Sequence, residues 1–75
     1  MTIRLDRVAD AAYMPVGPEP VAGESARQVE VEVPGGSVII DLDEGGRLIG
    51  VEVLGASSVL RDEAIAEAVI IDDGD

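Results

Sequence analysis

The chain has 75 residues, 16 acidic against five basic side chains for a net charge of -11, and neither Cys nor His. That inventory excludes a disulfide scaffold and soft-metal sites, and so dense a polyanion repels nucleic-acid phosphates and anionic lipid headgroups. Residues 1–75 are expected to form one domain; a chain so short buries only about 60–65% of its unfolded surface, so partnering as a homodimer is the expected route to stability.

Ile3 and Leu5 alternate with Arg4 and Asp6, the period of a half-buried strand. Asp6–Asp10 is a short connection to an extended apolar run, Ala11–Val16, which makes residues 1–16 an N-terminal hairpin. Pro15, Gly17, Pro18, Pro20 and Gly23 interrupt the next stretch, and residues 17–27 read as a Pro/Gly-rich loop, mobile or functional. Gln28–Val33 then alternates cleanly, with Val29, Val31 and Val33 on one face and Gln28, Glu30 and Glu32 on the other. Outward carboxylates suit an edge or solvent-facing strand.

Pro34-Gly35-Gly36 turns the chain into Val38–Leu42, and Asp43–Arg47 turns it again into Leu48–Leu54. Residues 28–54 therefore read as a three-strand meander. Gly46 takes the left-handed position that closes a type I turn with a bulge. Val38, Ile40 and Leu42 share a face opposite Ile39, while Ile49, Val51 and Val53 share one opposite Leu48 and Leu54. Two apolar faces imply covers on both sides of the sheet. Gly50, in mid-strand, marks the close approach of a neighbour or a bend.

Beyond Gly55-Ala56-Ser57-Ser58 the period becomes helical, and residues 58–71 read as a helix with Asp62 at its N-cap and Glu63 in its first turn. Ile65, Ala68 and Val69 give it an apolar face, Glu63 and Glu67 a polar one, so it covers one side of the sheet. Val69-Ile70-Ile71 is β-branched throughout, which leaves helix and short strand both open there. Residues 72–75 read as a frayed acidic tail. The expected fold class is α+β, a small antiparallel β-meander of about five strands with one C-terminal helix packed on a sheet face.

Chemistry is sparse. Ser25, Ser37, Ser57 and Ser58 have no His to activate them, and all five basic residues (Arg4, Arg7, Arg27, Arg47, Arg61) are arginines, which removes lysine-based catalysis. Ser57-Ser58 reads as the polar entry to a helix. Asp41-Leu42-Asp43 with Gly45 resembles the start of a calcium loop but lacks a third ligand and a closing Glu, so a hairpin turn is expected. Tyr13, the one aromatic residue, reads as a buried ring with its hydroxyl at the sheet margin. No catalytic, cofactor-binding or metal-binding residue is expected, and the chain does not read as an enzyme. No apolar run approaches a membrane span and no signal-peptide core opens the chain, so the expected setting is cytoplasmic.

Asp6, Ala9-Asp10-Ala11 and Tyr13-Met14, followed by Val38–Asp43, Gly46-Arg47-Leu48, Gly50–Leu54 and Ala56-Ser57, resemble the pattern of domain-of-unknown-function family 2283, small and mostly bacterial proteins. Ala12 departs from it, where a larger aliphatic is usual, and so does Gly45, where a polar turn residue is usual. The resemblance implies a small sheet with a C-terminal helix and transfers no catalytic residue. Some family members sit beside small ribonuclease-type toxins, which implies an antitoxin-like role. Two expectations result: a non-enzymatic protein-interaction module that forms a homodimer, or an acidic antitoxin-like partner neutralising a small basic, ribonuclease-like protein.

Overall fold

A computed structural model describes residues 2–72. The elements are β1 (Arg4–Asp6), β2 (Ala11–Pro15), β3 (Arg27–Val33), β4 (Gly36–Leu42), β5 (Leu48–Leu54), α1 (Ala56–Val59), α2 (Asp62–Glu67) and β6 (Val69–Ile70). The strands make one six-stranded sheet in the order β3-β4-β5-β2-β1-β6. All neighbours are antiparallel except β1 and β6, which run parallel.

This corrects the simple meander. Strands β3, β4 and β5 do form one, but the β1–β2 hairpin docks through β2 onto β5, not onto the strand that comes next in sequence. The chain leaving β2 must therefore travel past β5 and β4 to the far edge, three inter-strand spacings or roughly 14 Å. That journey explains the length of the Pro/Gly-rich connection. It ends one residue earlier than expected, because Arg27 already pairs with Leu42.

Register fixes the two faces. Leu5, Ala12, Val53, Val38 and Val31 lie opposite one another in a row across the sheet. The adjacent row is Arg4, Tyr13, Glu52, Ile39 and Glu30, which must point to the other side. On the first face Leu5, Ala12, Val53 and Ala56 form a buried cluster, against which Ile3, Val59, Leu60, Ile65 and Ala68 pack.

The expected single helix over 58–71 is replaced by two short ones. Leu60 and Arg61 both adopt extended backbone and separate them, and α1 begins earlier, at Ala56. Asp62 is not the N-cap: Arg61 occupies that position without a side-chain cap, and Asp62 and Glu63 sit in the first turn of α2, where the dipole favours them. Val69 and Ile70 form a strand. The Val69 N–H donates to the Ile3 carbonyl at 2.8 Å and the Ile71 N–H to the Leu5 carbonyl at 2.9 Å, so β6 covers the edge of β1.

Candidate interaction surface

Several of the polar side chains singled out by type hold the fold together: Asp43, Asp41, Ser25 and Ser57. Asp43 Oδ1 accepts from the N–H groups of Gly45 and Arg47, both at 2.9 Å, and Gly46 closes the turn at φ +81°. Asp43 thus serves the hairpin between β4 and β5, and among the described residues no group of three acidic side chains is placed to hold a metal. Asp41 lies apart from that turn, buried to 8% exposure, and accepts a hydrogen bond from the Ser25 hydroxyl. Ser57 is inside α1, not ahead of a helix, and its hydroxyl donates to Asp10 at 2.8 Å.

Tyr13 is half-buried, and its position corrects the expectation of a hydroxyl at the sheet margin. The ring reaches across the neighbouring strand: a Cβ on Gly50 would meet the Tyr13 hydroxyl at 1.9 Å. Gly50 is therefore glycine because a ring occupies its side-chain space. Arg4 covers the same ring, with its guanidinium carbon 5.4 Å from the centroid. Burial raises the phenol pKa above its ordinary value, and the nearby Asp41 and Glu19 carboxylates push the same way against Arg4.

The second cover, absent from any helical pattern, comes from the Pro/Gly-rich loop. Glu19 takes both ends of the Arg4 guanidinium, at 2.6 and 2.9 Å, and Ser25 takes Asp41. Arg4 and Asp41 both lie on the face opposite Leu5, so the loop is tied to that side at two points. Val21 and Glu24 close a turn between the ties, and the Ala26 N–H donates to the Leu42 carbonyl. The carboxyl of Glu19 is held below its usual range by the Arg4 hydrogen bonds. Alternating polar residues could not announce this cover, because it uses two isolated side chains from an irregular segment.

What stays uncovered is apolar. Val29, Val31, Val38, Ile40 and Val51 share the face of Leu5 and Val53. Among the described residues packed around that buried cluster, none comes from β3 or β4. Val31 is 46% exposed. α1 reaches the start of β4, where Val59 lies beside Gly36, but the aliphatic side chains of β3 take no part in the buried cluster and lie beside the outer edge of the sheet.

No curated protein and no solved structure matches the chain. Among protein families, the one described as protein of unknown function DUF2283 matches residues 2–57, the stretch from the start of the sheet into α1. The matched stretch contains Asp10 and Ser57, Tyr13 and Gly50, and the whole uncovered apolar patch, and the chain belongs to that family.

Proposed function

We propose that this protein is a non-enzymatic, cytoplasmic interaction module that pairs with itself through the uncovered aliphatic half of its helix-bearing face. The observation that supports this is the pair of rows Val29–Ile40–Val51 and Val31–Val38, aligned by register on the helix-bearing face, with Val31 46% exposed. Two such faces stack as sheets do in a sandwich, about 10 Å apart, with aliphatic side chains interdigitating. Edge-to-edge pairing is the weaker geometry, because it exposes the same patch and brings the glutamates of β3 together. Sedimentation equilibrium at micromolar concentration should return twice the chain mass, and V31K/I40K should return the monomer while keeping its circular dichroism. A monomeric parent protein at tens of micromolar would defeat the dimer.

A second reading has its own support. Glu30 and Glu32 stand exposed on the outermost strand of a chain with net charge -11, which suits an antitoxin-like partner of a small basic protein. Such a complex would form at a rate that falls steeply with salt.

A further inference from the structure

The outer edge of β3 has no strand partner among the described residues. From Gln28 to Val33 its side chains alternate strictly, Gln28, Glu30 and Glu32 on one face and Val29, Val31 and Val33 on the other, with Arg27 at the start of the strand on the valine face. The backbone of such an edge accepts an added strand, and side chains on alternate positions choose which one. From that juxtaposition we infer that the β3 edge binds an extended segment of another protein in which basic and apolar residues alternate. Its Lys or Arg side chains lie opposite Glu30 and Glu32, and its apolar ones continue the row of Val29 and Val31.

Charge selects this occupant over a second copy. Residues directly opposite in a sheet share a face, so two β3 edges meeting about a two-fold axis have few registers available. Centred on Glu30, the pairing sets Glu30 against Glu30, and centred on Val31 it sets Glu30 against Glu32. Pairings centred on Val29 or Gln28 avoid direct glutamate pairs, but they leave Glu32 beyond the overlap and shorten it to five and three residues. Like charges directly opposite destabilise a pair of strands, whereas opposite charges favour it by a similar amount. The carboxylates that block self-pairing are thus the ones that recognise a basic strand. Reversing both positions turns two attractions into two repulsions and should weaken binding about fourfold or more.

This inference rests on the interaction-module reading but uses the backbone edge of β3, where the proposed dimer uses the sheet face, so the two can fail separately. The test titrates isotope-labelled protein with a peptide as long as β3, 7 residues alternating Lys and Val, and with its Glu-Val counterpart. The expected result is binding of the Lys-Val peptide alone, with amide shifts centred on residues 27–33 and an affinity that falls with salt. E30K/E32K, substituted at exposed positions and checked by circular dichroism, should lose the Lys-Val peptide and take up the Glu-Val one. The same titration on V38K/I40K, whose substitutions lie in β4 and leave every β3 side chain in place, shows whether edge binding survives loss of the dimer. No binding of the Lys-Val peptide, equal binding of both peptides, shifts centred away from β3, or unchanged binding by E30K/E32K would each overturn the inference.

Discussion

The carboxylate of Asp10 sits on the first turn of α1, where Oδ1 accepts from the Ser57 N–H at 2.9 Å and Oδ2 from the Ser57 hydroxyl at 2.8 Å. The Asp10 carbonyl also accepts from the N–H groups of Gly55 and Ala56, each at 2.9 Å. A residue from the β1–β2 turn thus satisfies the orphan donors of a helix 47 positions later, a cap supplied from elsewhere in the chain. It does so at φ +53°, a left-handed conformation that Asp tolerates better than most residues. The helix is too short to hold itself, so this contact fixes where the chain leaves β5.

Asp10→Ala removes the acceptor and leaves a Cβ in the left-handed region without local hydrogen bonding. The expected loss is about 2 kcal/mol, read as a lower urea midpoint with an unchanged slope. Asp10→Asn keeps both the acceptor oxygen and the backbone tolerance and should lose less than half as much. Equal stability of the Ala variant and the parent would show that α1 is held by its packing alone.

The contact between Tyr13 and Gly50 makes a second prediction with a built-in probe. Gly50→Ala puts a Cβ 1.9 Å from the hydroxyl and 2.4 Å from the ring carbon that bears it, so the ring must swing out. Overpacking of this kind costs about 1–3 kcal/mol. With one Tyr and no Trp in the chain, the displaced ring reports directly in the intrinsic fluorescence. In a double-mutant cycle Tyr13→Leu should absorb much of the Gly50→Ala penalty, since the shorter side chain vacates the space. Additive losses in the cycle would break the proposed coupling.

How much of this was legible depends on whether a feature is periodic. The alternation of Gln28–Val33, the Asp43–Arg47 turn and the demand for glycine at position 50 arise from patterns no more than six residues long, and all appear in the fold. Val69-Ile70-Ile71 left two outcomes open, and the free edge of β1 decided for a strand. The strand order was out of reach because nothing local says that β2 seeks β5. The break at Leu60-Arg61 was equally hidden, since a helical period runs through it and the turn of Leu60 toward the cluster around Leu5 is a tertiary demand. On the apolar patch the sequence indicated that both faces carry aliphatics but not that the helices stop short of β3.

The loop tie between Glu19 and Arg4 should matter locally and hardly at all globally. Both oxygens of Glu19 engage the guanidinium in a fork, yet the pair is open to solvent and screened by salt. Glu19→Gln is therefore expected to leave the urea midpoint unchanged while hastening proteolytic cleavage within residues 17–26. High salt should mimic the substitution in the parent protein. A parent loop cleaved as fast as the variant at low salt would mean that the Ser25–Asp41 contact alone holds the segment.

Asp72 gives a pH-dependent prediction whose sign is fixed by its partner. Its carboxylate accepts from the Arg7 N–H at 2.6 Å and from Arg7 Nε at 2.8 Å, with Arg7 Nη2 also 2.6 Å away, so residue 72 is tied down where a frayed tail was expected; residues 73–75 of that tail lie outside the described chain. Those hydrogen bonds hold its folded pKa below the ordinary aspartate value. A depressed carboxylate pKa contributes stability that is fully present above the unfolded value, about 4, and is lost as pH falls through the folded one. The contribution should appear where the tie acts, on β6, whose Val69 and Ile71 N–H groups bond to β1. At about pH 6, Asp72→Asn should exchange those two amides faster than the parent while leaving the Leu5 and Ala12 region unaffected. Below the folded pKa the parent loses the same charge, and the ratio of the two exchange rates should approach one. A ratio that stays constant across that range would assign β6 to its backbone pairing alone, with no part played by the Arg7–Asp72 charge.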